Sequence, residues 1–289
     1  CLIQSKYTKF MINYGYSIFF ISVYSQNKKD ELRGEFTYLL KAKLNRLSKD
    51  VITNEFFTLQ ITDDKAFFVS ENTIKFDSVF QKEFQNFANN TSANKNSNKI
   101  IDFKGKFFPK TKFPFIIIQS PENTQYFENV AMVLLSYNEP LVKDWKLINQ
   151  STTINTFNCK KAEINFKGRN WVAWYSEEIP FPYGPYKFSG LPGLIIKISD
   201  DNGDYEFELV NSLSSSQMNN RYLNINKNRY TKATETTQKE LENARKNFND
   251  NLVQRFESMG TVFKPEQREN LIKEQTNQKI NENPIELEN

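Results

Sequence analysis

The chain has 289 residues, room for one large domain or one domain with a small appendage. It contains no histidine, which excludes imidazole acid–base catalysis, a Ser-His-Asp triad and the usual His-ligated zinc or copper site. Its 38 basic and 34 acidic residues are mixed along the chain and leave a net charge of +4, so the surface is a solvated one and nucleic acid is not implied.

From Met11 to Gln26 a short apolar stretch, Tyr14 to Tyr24, ends at the small Ser25. It is too short for a spanning helix and fits the apolar region of a secretory signal, with no spanning segment expected in the mature chain. Residues 1–25 are therefore expected to be upstream residues plus a signal peptide, and the protein to be exported: periplasmic, outer-membrane-associated or secreted. Met11 reads as the start. Cys1 also reads as a lipidated N-terminus, but the apolar run that follows would then need its own explanation. Cleavage leaves Cys159 as a lone thiol, best read as buried and structural.

A β-rich domain is expected over residues 26–233. After Gly34, Phe36, Tyr38 and Leu40 alternate with Glu35, Thr37 and Leu39, a strand pattern. Phe57, Leu59 and Ile61 pair with Ala66 to Val69 around an Asp63-Asp64 turn, predicting a hairpin. Residues 77–88 read as a short helix or an irregular segment, and the polar stretch 89–99 as an inserted loop. Strand-like patterning resumes in KIIDFKGKFF and FPFIIIQSPENTQYF. Ala162, Ile164 and Phe166 point one way and Lys161, Glu163 and Asn165 the other, before a Lys167-Gly168-Arg169 turn returns Trp171 to Tyr175. Tyr205, Phe207 and Leu209 alternate with Glu206 and Glu208. An antiparallel meander is the economical reading.

Three of the nine glycines and four of the ten prolines crowd between Pro180 and Gly193, just before the apolar run Leu194 to Ile198. A phosphate-cradling loop would need converging amides and a following helix, but Gly190-x-x-Gly193 leads into strand-forming residues and its prolines donate no amide. Backbone shaping is the expectation. DDNGD (200–204) resembles part of a calcium loop but lacks the downstream bidentate carboxylate, so an Asn202-Gly203 turn explains it and no metal is expected. Glu177 and Glu178 are candidate carboxylates for a hydrolase; Trp171, Trp174 and Tyr175, with Glu177, Tyr183 and Tyr186, are the candidate ligand-binding residues. No catalytic residue and no cofactor are assigned.

From Thr234, Leu241, Ala244, Phe248, Leu252 and Phe256 recur at helical spacing, and Gly260 is a stop signal. Residues 234–275 are expected to be helical and to cover an edge or an open end of the sheet. Residues 276–289 read as a polar, loosely held tail.

The ordered elements DWKL, CKKA, FKGR, AWYSEEIP and GPYKFSGLPGLI resemble the signature of the GLPGLI family, carried here by Gly184, Pro185, Gly190, Leu191, Pro192, Gly193, Leu194 and Ile195. The C-terminal NPIELEN resembles the family's usual ending. The resemblance is specific over about residues 144–210 and looser from Gly34 to about Lys75. It implies an exported or envelope-associated protein of Gram-negative bacteria and transfers no catalytic residue. A related module at the N-terminus of some secreted peptide N-glycanases implies a binding or accessory domain. The expected fold is mainly β: an antiparallel meander forming a curved sheet or incomplete barrel, with a C-terminal helix packed against it and, by analogy, a lipoprotein-carrier-like architecture. The expected function is a non-enzymatic binding or accessory protein engaging a lipid, a glycan or an outer-membrane protein. Its alternatives are a carboxylate-dependent hydrolase and a structural component of an envelope assembly.

Overall fold

The computed structural model describes residues 30–92, 105–213 and 215–288. The segment expected to be a signal peptide and residues 93–99 of the polar insertion lie outside these.

The alternating segments become strands because every second side chain finds an apolar interior. In chain order they are β1 (Gly34–Ala42), β2 (Thr53–Ile61), β3 (Ala66–Ser70), β4 (Ile116–Gln119), β5 (Asn123–Val130), β6 (Val133–Pro140), β7 (Lys146–Ile154), β8 (Phe157–Phe166), β9 (Arg169–Ser176), β10 (Leu194–Asp200), β11 (Tyr205–Ser212) and β12 (Thr234–Glu235). The helices are α1 (Glu71–Ser92), α2 (Ser215–Met218), α3 (Gln238–Asp250), α4 (Leu252–Ser258) and α5 (Pro265–Ile280). Among the described residues no helix is long and apolar enough to cross a membrane.

All twelve strands form one sheet in the order β12-β6-β5-β4-β3-β2-β1-β11-β10-β9-β8-β7, antiparallel except for β12 beside β6. The chain begins near the middle, meanders out to β6, then restarts at the far edge with β7 and meanders back until β11 pairs with β1. That topology forces curvature. In a flat sheet β6 and β7 would stand roughly 48 Å apart, at about 4.8 Å per strand spacing. Residues 141–145, which join them, reach only about 20 Å fully extended. The sheet therefore curls toward an incomplete barrel, and its two edges approach across the interior.

The main core lines the concave face. Phe57 and Phe68 stack at 4.7 Å, joined by Tyr38, Leu40, Phe207, Trp171 and the buried Cys159. A smaller second core covers the outer face of β3 to β5, where Phe67, Val69, Ile116 and Phe127 meet Ile74 of α1 and Ile225 and Tyr230 of the β11–β12 connection. Glu55 anchors the approach to β4, accepting hydrogen bonds from the Ser70 and Thr111 hydroxyls.

Several expectations change. The segment read as a short helix or irregular at 77–88 belongs to α1, which runs for 22 residues and takes in the first residues of the polar insertion. Its driver is Phe76, Phe80 and Phe84, one helical turn apart, with rings 6.1 and 6.5 Å from each other in sequence. The described part of KIIDFKGKFF, from Gly105, is not strand. Thr234–Glu235 is a strand, and the helix begins only after Thr237, whose capping box with Glu240 sets its start. The helical region breaks at Asn251 and again before Pro265. The tail is not loose: α5 extends to Ile280, and the residues after it are hydrogen-bonded into the domain.

Candidate functional site

The Gly/Pro segment folds inward and fills the concavity. Its return is shaped by backbone: a Cβ on Gly193 would lie 2.1 Å from the Ser176 carbonyl oxygen, and Gly190 has φ +88° with the Val142 carbonyl 2.7 Å from any added Cβ. The Gly190 amide donates to Pro182 O and the Leu194 amide to Ile179 O, so these amides serve the chain itself rather than an anion. Leu194 then starts β10, not a helix. Between the glycines, Tyr186, Phe188 and Leu191 are buried, with Phe188 4.7 Å from the Trp171 ring and Tyr186 5.5 Å from Phe115. The Gln119 side-chain amide donates to Tyr186 O at 2.7 Å and also reaches Gly184 O and Phe188 O.

Lys187, in the middle of this plug, is 1% exposed. Its Nζ lies 2.7 Å from Glu139 Oε2 and 2.6 Å from Glu286 Oε1, and donates to the Tyr137 hydroxyl at 2.9 Å. The rings of Tyr126, Tyr137 and Tyr186 surround the ammonium at 5.1 to 5.5 Å. Burial disfavours the charged form of Glu139, but Lys187 and Lys167 outweigh it and hold the carboxyl below its ordinary value. Burial, then the neighbouring carboxylates, push the Tyr137 and Tyr186 hydroxyls well up, so both stay protonated. Above the cluster, Arg245 of α3 pairs with Glu128 of β5 at 2.5 Å, and Gln238 donates to Glu286. The expected edge-covering helix is thus α3, over β5 and β6.

Arg169 is a second buried cation. Its guanidinium donates to Asp200 (2.7 Å), Asp204 (3.4 Å), Asn283 Oδ1 (2.7 Å), Pro284 O (2.7 Å) and Ile285 O (3.0 Å). Asp200 Oδ1 also accepts the Asp204 and Tyr205 amides, which is why DDNGD makes a turn. Among the described residues no three His, Cys, Asp or Glu side chains gather to hold a metal ion. Both buried cations are saturated by the protein's own groups, an arrangement that holds segments together and offers no open site for a reactant.

The six candidate ligand-binding residues fall on different sides. Trp171, Tyr175 and Tyr186 are buried, Tyr183 is half-buried, and Glu177 is exposed and paired with Lys160 at 2.8 Å. Glu178 accepts from the Asn158 amide and side chain. Of the signature residues, Gly184, Pro185, Leu191, Gly193, Leu194 and Ile195 are buried, while Gly190 and Pro192 face solvent. Of the β9 aromatics Trp174 alone is part-exposed, though it still packs against the main core. It sits in a row that crosses six strands, Lys161, Trp174, Lys197, Glu208, Leu39 and Phe56. Sequence reasoning missed Lys187, Arg169, Glu139, Glu286 and Asn283. The one available signal was a lysine inside the apolar run PYKFSGL.

These features define a mainly β protein with an open, strongly curved sheet whose hollow is filled by its own Gly/Pro segment. A family described as "Protein of unknown function (Porph_ging)" matches residues 165–197, a stretch that includes Lys187 and the glycines above. No curated protein matches the chain. Among solved structures, PNGF-II in a P21 crystal form is 14% identical with a TM-score of 0.47 over 73% of this chain; the chain spans 32% of that protein. An uncharacterized conserved protein from Thermus thermophilus is 8% identical, TM-score 0.30, over 70% of this chain and 89% of its own. A LolA superfamily protein from Nitrosomonas europaea is 5% identical, TM-score 0.27, over 70% and 91%.

Proposed function

We propose that the chain is an exported, non-enzymatic binding or accessory module of the cell envelope, of the GLPGLI type. Its partner, a glycan or an envelope protein, sits against the outer face of β8 to β11, β1 and β2. One observation carries this reading. The second core centres on the outer face of β3 to β6, and Thr58 and Gln60 of β2 are also covered, whereas β8 to β11 with Leu39 and Phe56 present part-exposed Trp174 and Val172 among Lys161, Lys197, Glu206 and Glu208. A part-exposed Trp flanked by fixed charges suits stacking on a sugar or anchoring a protein contact. A lipid in the hollow is less well supported, since Tyr186, Phe188 and Leu191 already fill that space.

The test is Trp174→Ala in crosslinking pulldown from envelope extract and on a glycan panel. Binding is expected to weaken at least about thirtyfold, the scale of an interface hot spot. Unchanged capture of every partner by the variant would remove this face from the proposal.

A further inference from the structure

We infer that the end of the sheet formed by the β1–β2 connection is a docking surface for an anionic lipid bilayer. This does not depend on the Trp174 face.

Connections are normally polar, and an apolar side chain in one is usually turned inward. In residues 43–52, KLNRLSKDVI, the opposite holds: Leu47 is 77% exposed, Val51 63% and Ile52 51%. The connection is ordered rather than slack. Asn45 Oδ1 accepts the amides of Leu47 (2.8 Å) and Ser48 (3.2 Å), and the Val51 amide donates to Ser48 O. The Arg46 amide bonds to Asn281 O, which ties the connection to the residue after α5. The apolar side chains are therefore held outward by a fixed backbone.

A second basic segment meets the start of β2. Residues 105–112 run from α1, where Lys106 pairs with Glu83, to the start of β2, where Lys112 Nζ bonds to Thr53 Oγ1. This segment carries Phe107, 82% exposed. The two segments carry Arg46, Lys49, Lys106, Lys110 and Lys112, all exposed, while the acidic groups at this end of the sheet are Asp50, Glu282 and, on the β10–β11 turn whose Asp204 carbonyl accepts the Lys43 amide, Asp201 and Asp204. Arg46, Lys49, Lys110 and Lys112 make no ion pair with the described residues.

Basic residues alone would suit any polyanion. Fixed, solvent-facing Leu47, Val51 and Ile52 beside Arg46 and Lys49 specify a partner with both an anionic surface and an apolar layer just beneath it, which is the bilayer interface. A glycan or a nucleic acid would gain nothing from Leu47 or Val51.

The experiment is cosedimentation of the full chain with vesicles of phosphatidylglycerol and phosphatidylcholine, compared with phosphatidylcholine alone. Binding is expected only with the anionic vesicles, falling as salt rises. Arg46→Glu with Lys49→Glu should lower the partition coefficient at least about tenfold, at about fivefold per cation lost. Leu47→Ser with Val51→Ser and Ile52→Ser should also lower it at least about tenfold. These side chains are exposed, so thermal unfolding of both variants should match the parent. As a second measurement, Leu47→Trp should show a blue-shifted emission on anionic vesicles and none on neutral ones. Absent binding, equal binding to neutral vesicles, or survival of binding in the triple serine variant would overturn the inference; the last result would point to residues 14–24 or to simple polyanion attraction.

Discussion

The Lys187 ammonium lies 2.6 Å from the Glu286 carboxylate, so a cation delivered by the Gly/Pro segment is closed off by an anion from the C-terminal tail. The same carboxylate accepts the Tyr186 hydroxyl at 2.6 Å, and Glu139 on β6 completes the shell at 2.7 Å. Three distant stretches of chain thus meet at one buried charge. Breaking a buried pair leaves an uncompensated ion, and that cost exceeds whatever the intact pair contributes.

Replacing Lys187→Ala is therefore expected to destabilise the fold by about 3–5 kcal/mol, because Glu286 stays buried without its cation while Glu139 keeps only Lys167. Lys187→Met with Glu286→Leu and Glu139→Gln, which removes the charges together, should recover much of that loss. Urea unfolding of the variants measures both. A Lys187→Ala protein as stable as the parent would show that the pocket is wet and open.

Gly193→Ala brings a methyl to 2.1 Å from the Ser176 carbonyl oxygen, a backbone atom that cannot move without shifting β9. The expected loss is about 3 kcal/mol or more. Gly260→Ala, where φ is +92° but nothing lies within 4 Å, should cost only about 1–2 kcal/mol from backbone strain. Thermal melts of the two variants side by side separate close approach from conformational strain.

Stability should also fall in acid through Glu139. Its folded-state pKa lies below the unfolded value near 4.5, since Lys187 and Lys167 together overcome the opposing effect of burial. A group lowered in this way stabilises the fold above its unfolded pKa, and that contribution is lost as pH falls through the folded pKa. Glu206, held low by Lys197 and Lys41 against its own burial, titrates in the same window. The difference between the parent and Glu139→Gln in urea midpoint, followed from about pH 6 to about pH 3, isolates the first group. The parent should lose its advantage over the variant only at the acid end; a constant difference would contradict this assignment.

How much was legible depended on how local the signal was. Tyr205, Phe207 and Leu209 declared β11 because alternation is a property of neighbouring residues, and all three are buried. The Gly/Pro segment was read correctly as backbone shaping, since the aliphatic run behind it could only be a strand. The α1 helix was legible in principle from Phe76, Phe80 and Phe84, but its polar flanks made it look irregular. Trp171, Trp174 and Tyr175 could not be sorted into inside and outside until the sheet had two faces. Only then did Trp174 stand apart.

The sequence by itself determined that this is a mainly β chain without imidazole chemistry, with a turn-forming Gly/Pro segment and helices near its end. Those are consequences of composition and of periodicities two and four residues long. Only the tertiary structure decided that β6 and β7 sit ten strand positions apart in one sheet, that a five-residue link curls it, and that the polar tail is part of the closure. Asn283, whose side chain joins Arg169 to the Lys43 carbonyl, looks in sequence like any solvated asparagine. Its partners lie more than a hundred residues away, at |i−j| of 114 and 240, and no local pattern encodes a hydrogen bond across that distance.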